Sequence, residues 1–213
     1  MTKIIVDCDP GHDDMIALMA ACAHPELELL GVTTVAGNQT GEKTHLNALK
    51  VMTLIGETAV PVARGGDHPL FRPLTVAPQI HGVSGLDGAD LPEPKVETAA
   101  EHAVDMLARL IRQEAETGGK VTLVPTGPLT NIGMLFIKEP EIKQHIEGIV
   151  LMGGAVYESN ITPSAEFNIY VDPEAAALVF SSGLPVTMVG LDVTNRAYFS
   201  FEDIEAIKAL EGR

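Results

Sequence analysis

Asp7, Asp9, Asp13 and Asp14 place four carboxylates within one short segment, Asp7-Cys8-Asp9-Pro10-Gly11-His12-Asp13-Asp14. A helix start uses one or two acids, which satisfy free N–H groups and meet the positive end of the helix dipole. Four exceed that need. Like charges this close raise one another's pKa unless a cation neutralises them. Oxygen donors with no Cys or His at metal spacing select a hard cation, Ca²⁺ or Mg²⁺. The segment is therefore expected to hold a divalent metal. His12, between turn and acids, is expected to be a partly exposed, hydrogen-bonded histidine rather than a ligand.

The elements around this segment follow from the hydrophobic pattern. Lys3-Ile4-Ile5-Val6 is a short β-branched run ending at the acids and predicts a buried strand. Met15, Ile16, Leu18, Met19 and Cys22 recur at helical spacing up to the His24-Pro25 stop. Strands are predicted at 27–36, 60–63, 121–124, 149–152 and 185–191. Helices are predicted at 42–55, 99–116, 129–137, 173–180 and 202–210. The stretch 65–95, rich in Pro and Gly, reads as a binding loop, with Phe71, Leu74, Ile80 and Leu86 to pack it down. A second long loop runs to about residue 172.

Alternating strands and helices without a fixed repeat predict an α/β fold: an open, mostly parallel sheet flanked by helices on both faces. Ligands of such sheets sit beyond the carboxyl ends of the strands. The polar residues that are costly to bury all follow strands: the acids after the first, Asn38 after the second, Thr126 after a middle one, and Asn160, Glu166 and Asn168 after a later one.

Composition narrows the class of partner. The chain has 213 residues, 14 Lys plus Arg, 29 Asp plus Glu, and a formal net charge of −15. Phosphates would repel so acidic a chain, so neither nucleic acid nor an anionic membrane surface is an expected partner. No run reaches the length of a membrane span, and no leader-like segment precedes the first strand. Cys8 and Cys22 suit two reduced thiols rather than a disulfide framework. A cytoplasmic location is the expectation.

The acidic segment resembles the N-terminal signature of the nucleoside hydrolases, the inosine–uridine-preferring nucleosidases. Further blocks resemble that family in its order: Gly37-Asn38-Gln39-Thr40; His81-Gly82 with Ser84-Gly85-Leu86; Pro125-Thr126-Gly127-Pro128-Leu129-Thr130-Asn131; Leu151-Met152-Gly153-Gly154; and Ala165-Glu166-Phe167-Asn168 with Asp172-Pro173-Glu174-Ala175-Ala176. The resemblance implies hydrolysis of the N-glycosidic bond of ribonucleosides through an oxocarbenium-like transition state, by a calcium-activated water. It implies Asp9, Asp14 and the Thr126 carbonyl as Ca²⁺ ligands, with Asp9 also as general base. It implies Asp13 and Asn168 on the ribose hydroxyls, Asn38, Asn160 and Glu166 as further sugar contacts, Met152 beside the sugar and His81 near the base. It also implies a homodimer or homotetramer.

Those residue types suit the chemistry. Carboxylates and amide oxygens favour a developing ribosyl cation, as in glycosidases. Diol contacts fix the ring pose, and a departing base wants a proton donor. Family members are longer, and the resemblance implies a His-Asp pair beyond the matched region: the Asp a metal ligand, the His beside the leaving base. The chain thus reads as one domain, 1–213, truncated at its C-terminal side relative to the family, with weak activity expected. A haloacid-dehalogenase-like phosphatase shares only the Asp7-Cys8-Asp9 pattern. A catalytically dead nucleoside- or ribose-binding fragment is the non-enzyme alternative.

Overall fold

The computed structural model describes residues 1–210. Among these, six strands form one parallel sheet in the order β3-β2-β1-β4-β5-β6. The strands are β1 (Thr2–Cys8), β2 (Leu27–Thr34), β3 (Val62–Arg64), β4 (Val121–Pro125), β5 (Ile146–Met152) and β6 (Val186–Val189). The longer helices between them are α1 (His12–Ala23), α2 (Gly41–Ile55), α4 (Ala103–Glu116), α5 (Thr130–Lys138), α7 (Pro173–Phe180) and α9 (Phe201–Ala209). Three short helices complete the set: α3 (Pro78–His81), α6 (Phe167–Val171) and α8 (Leu191–Thr194).

Successive strand residues point to opposite faces. Ile4, Val6 and Cys8 of β1 enter a core with Leu18 of α1 and Ala48, Leu49 and Met52 of α2. Ile5 enters the opposite core with Met106, Leu107 and Ile111 of α4 and Ile132 and Leu135 of α5. The sheet is therefore covered on both faces, and each fully buried Leu or Ile contributes about 1.5–3 kcal/mol of transfer free energy. Strand order progresses outward from β1 in one direction and from β4 in the other. The crevice at that reversal lies at the carboxyl ends of β1 and β4, where the chain continues into Asp9 and Thr126.

Several boundaries differ from the sequence pattern. The helix expected from residue 99 begins at Ala103, capped by the His102 ring accepting from the Val104 N–H. Residues 98–99 instead extend the sheet edge: Thr98 bridges Val62, and the Ala99 N–H donates to the Val62 carbonyl. β5 starts at Ile146, after a 3-10 helix at Pro140–His145. The last strand stops at Val189, because Gly190 is the N-cap of the short helix α8.

The 65–95 loop packs differently from expectation. Leu86 is buried, 4% exposed, but Phe71 and Ile80 are 80% and 68% exposed and anchor nothing. Polar contacts hold the loop instead. Gln39 Nε2 donates to the Gly82 carbonyl at 2.9 Å, Asn47 Nδ2 to the Ser84 carbonyl at 2.9 Å, and the Ala77 N–H to the Asn38 carbonyl at 3.1 Å. Among the described residues no helix is long and apolar enough to cross a membrane.

Candidate active site

The site is built where β1 and β4 end. After Cys8 the chain turns through Asp9-Pro10-Gly11 into α1, which places Asp14 in the first turn. Asp14 Oδ2 accepts from the Gly11 N–H at 3.1 Å, so this acid does cap the helix. Its other oxygen, Oδ1, accepts from Thr126 Oγ1 at 2.6 Å, which ties α1 to the end of β4. The Thr126 carbonyl accepts from Asn168 Nδ2 at 2.8 Å. Asn168 also reaches the Met152 carbonyl at 3.2 Å, at the end of β5. A continuous chain of contacts thus joins Asp14, Thr126, Asn168 and Met152, four residues that sequence spacing alone leaves far apart.

Asp9 is held from the other side. Its Oδ2 accepts from the Asn38 N–H at 2.7 Å, and Asn38 Nδ2 donates to the Asp9 carbonyl at 3.1 Å. Two glycines make room for it. A Cβ at Gly37 would lie 2.2 Å from Asp9 Oδ2, and one at Gly127 would lie 2.6 Å from Asp9 Oδ1. Both positions therefore demand glycine for close approach to the carboxylate.

Asp7, Asp9 and Asp14 are buried, and among the described residues none of them forms an ion pair. Burial, and then the charge of Asp14, pushes the Asp9 carboxyl well above the usual carboxylate range. Burial and the neighbouring Asp13 push Asp14 up to about 7, against the bonds from Thr126 and Gly11. Burial likewise raises Asp7 to about 7, partly offset by Thr33 and Asn131. Asp9 and Asp14, two buried acids without a counter-charge, leave a site a dication would stabilise. The Thr126 carbonyl keeps a second lone pair beyond the one Asn168 uses. The oxygens of Asp9, Asp14 and Thr126 thus fit a hard cation. No group of three or more His, Cys, Asp or Glu side chains suited to a metal occurs among the described residues.

The remaining candidates fall into two sets. Asp13 is exposed on the first turn of α1, free for a ligand. His81, at the end of α3, faces α1: a Cβ at Gly11 would lie 2.7 Å from its ring. Burial lowers the His81 pKa, opposed by Asp13 and assisted by His12. Glu166 is buried, but its Oε2 accepts from the Gly154 and Ile169 N–H groups at 2.9 and 3.1 Å and so caps α6. Asn160 is exposed in the loop before α6, and no hydrogen bond joins its side chain to the others among the described residues.

Behind the site lies a network that sequence reasoning did not assemble. Asn131 Nδ2 donates to Asp7 Oδ1 at 2.7 Å and to the Thr34 carbonyl at 3.0 Å, while its Oδ1 accepts from the Gly66 N–H at 2.9 Å. Thr33 Oγ1 donates to Asp7 Oδ1 at 2.6 Å, and Asp7 Oδ2 is buried without a partner among the described residues. A second hub is Asp172, which accepts from Thr130 Oγ1, the Leu70 N–H and the Ala175 N–H. Asp7 was marked as one of the four acids and Asp172 as the cap of the helix opened by Pro173, a cap the structure shows; Thr130 and Asn131 were marked only by their block, and Thr33 by its strand.

A doubly wound sheet with an acidic, oxygen-rich crevice at its switch point defines an α/β protein built to bind a small polar ligand. The model of the inosine-uridine preferring nucleoside hydrolases matches residues 4–213, and the chain belongs to that family. It is 56% identical over 97% of its length to the pyrimidine-specific ribonucleoside hydrolase RihA of Photobacterium profundum, covering 66% of that protein. It is also 56% identical over 97% of its length to the RihA of a Shewanella species, covering 64% of it. The chain thus spans just under two thirds of the length of these relatives. Among solved structures, the purine-preferring ribonucleoside hydrolase from Gardnerella vaginalis superposes with a TM-score of 0.92 at 37% identity, over 100% of this chain and 68% of that one.

Proposed function

We propose that the chain carries the nucleoside-binding and hydrolytic site of a ribonucleoside hydrolase, acting on pyrimidine ribonucleosides such as uridine. The observation that carries the reading is the convergence of Asp9, Asp14, Thr126 and Asn168 at one strand-end crevice, in a chain of this family. The pyrimidine preference is drawn from the RihA relatives at 56% identity.

In this reading Asp9 and Asp14, with the Thr126 carbonyl, hold Ca²⁺. A bound calcium ion supplies a polarised water of lowered pKa and an anchor for sugar hydroxyls. Asp9 takes a proton from the attacking water. The bond from the Asn38 N–H and the close approach of Gly37 and Gly127 fix the carboxylate in place for that transfer. Asp13 and Asn168 hold the ribose hydroxyls, and Asn38, Asn160 and Glu166 complete the sugar contacts. Met152, whose Sδ lies 3.3 Å from Asn168 Nδ2, packs beside the sugar. The buried carboxylates favour the positive charge that develops on the ribosyl ring as the glycosidic bond breaks. His81 stands toward the base, and the base leaves with the electrons of the broken bond.

Residues 1–213 act as one domain, short of the family's length on the C-terminal side, in a cytoplasmic homodimer or homotetramer. The test is release of ribose from uridine, cytidine and inosine by this chain, with calcium and with a chelator. Calcium-dependent release, faster from the pyrimidine nucleosides, is the expected result. Calcium-dependent ribose binding without release would reduce the reading to a binding fragment, which the chain's partial coverage of its relatives makes the second reading. No binding and no release would overturn both.

A further inference from the structure

In the acidic segment, the function above gives His12 no part. His12 lies 3.4 Å from His81, Nδ1 to Nδ1, and its Nε2 lies 3.0 Å from the Asp87 carbonyl. The ring centroids are 5.6 Å apart against 3.4 Å between the nitrogens, a difference of 2.2 Å, and the rings are tilted by only 26°. That difference is about one ring radius on each side, so the two nitrogens point head-on and the rings meet edge to edge. A carbonyl only accepts. His12 therefore carries its proton on Nε2, and a neutral His12 presents a bare lone pair at Nδ1. The matching donor is His81 Nδ1–H.

The surrounding chain maintains this geometry across 69 residues. Asn47 Nδ2 donates to the Pro10 carbonyl at 3.1 Å and to the Ser84 carbonyl at 2.9 Å, fastening the two loops together. Asp87 accepts from the Val83 and Ser84 N–H groups at 2.8 and 2.9 Å, which closes the loop that presents its carbonyl. Gly82 and Gly85 take φ of +81° and +92° in that loop, a conformation side-chain-bearing residues rarely adopt. Gly11 lacks the Cβ that would collide with His81.

We propose that His12 is a positioning residue that pins the His81 Nδ1 proton and leaves Nε2 as the one nitrogen through which His81 meets the nucleobase. When His81 carries a proton on each nitrogen, the Nδ1 proton stays in the His12 bond. The Nε2 proton is then the one that passes to the base as it departs with the glycosidic electron pair, and solvent returns it. The logic is that of a partner fixing tautomer and ring orientation. The 3.4 Å separation is long for such a bond, and unliganded sites commonly show bonds that tighten on binding. The proton transfer to the departing base rests on the reading under Proposed function; the tautomer is a property of the free chain.

The experiment is long-range ¹H–¹⁵N correlation of histidine rings in the labelled 213-residue chain, at a pH above both ring titrations, with His81 assigned by His81→Asn. The expected result is His81 protonated at Nδ1. In His12→Phe, which keeps a flat ring and removes the acceptor, His81 should revert to the Nε2–H form that an unconstrained histidine side chain favours. His12→Asn, whose amide oxygen can accept, should restore Nδ1–H. In kinetics, His12→Phe should lower kcat for uridine about tenfold with KM within about twofold. Wild-type His81 in the Nε2–H form, or Nδ1–H persisting in a folded His12→Phe, would overturn the proposal. If His12→Phe does not fold, the wild-type tautomer alone decides. A chain that shows the expected tautomers and hydrolyses nothing refutes the function and leaves the His12–His81 pairing intact.

Discussion

Replacing Asn131 by alanine should destabilise the fold from behind the site. The side chain is fully buried and serves three partners: Asp7 Oδ1, the Thr34 carbonyl and the Gly66 N–H. Asp7 and Thr34 are 1% exposed, so neither can turn to bulk solvent, whereas the Gly66 N–H is only partly buried. Asp7 Oδ1 keeps the bond from Thr33 and the Thr34 carbonyl keeps the one from the Gly65 N–H, so the cost is that of lost bonds, about 1.5–3 kcal/mol for one to a charged group and about 0.5–1.5 kcal/mol for a neutral one. Water entering the vacated space recovers some of this. The net loss comes to about 3 kcal/mol. For a domain of this size, each kcal/mol moves Tm by about 2–4 °C, so Asn131→Ala should melt about 6–12 °C below wild type. Circular dichroism melts at about pH 7 measure this directly. Asn131→Asp keeps the shape and sets a second carboxylate against Asp7, so it should be worse at about pH 8 than at about pH 5. A Tm within about 2 °C of wild type for Asn131→Ala, roughly the effect of half a kcal/mol, would refute the network's structural role.

Three further outcomes follow from single contacts. Burial, aided by the charge of Arg64, lowers His45 to about 4, so the folded state disfavours its protonation. At this site the unfolded chain therefore binds more protons between about pH 4 and 6.5, and the His45 contribution to stability falls as pH drops through that window, by at most about 2–3 kcal/mol. Asp7 and Asp14, raised to about 7, titrate with the opposite sign over the same range, so the slope is read from the difference between urea melts of wild type and His45→Gln, in which it should appear. Gly37→Ala places a methyl 2.2 Å from Asp9 Oδ2 and 2.7 Å from Pro128, so it should cut calcium affinity and kcat by roughly tenfold or more, as for a ligand-orienting change, while the far-UV spectrum stays native. Calcium at about a hundred times its Kd should raise Tm by about 5–10 °C, through about 2.7 kcal/mol of binding linkage; an unmoved melt in calorimetry would rule out a bound cation.

What the sequence disclosed and what it hid have physical causes. Asp9, Asp14 and Thr126 were legible together because each follows a strand with a clear apolar run, and parallel strands deliver their ends to one edge. The cap made by Asp14 was legible from its place at a helix start. The His12–His81 contact was not, because the 65–95 loop that carries His81 gives no periodic signal and closes on polar contacts rather than an apolar stripe. The same cause misled the expectation for Phe71 and Ile80: apolar residues in an irregular stretch carry no face on which to be placed. Asn131 was hidden for a different reason. It lies in an apolar helix start that reads as core, and its partners come from the distant residues Asp7, Thr34 and Gly66.

The central claim is that Asp9 is the base of a ribonucleoside hydrolase site, and steady-state kinetics of Asp9→Asn on uridine in saturating calcium test it most directly. Asparagine keeps the shape and the bond from the Asn38 N–H but cannot take a proton. We expect a kcat lowered by about 100-fold or more with KM within about threefold, since the group acts on the chemical step. A kcat near wild type would contradict the claim.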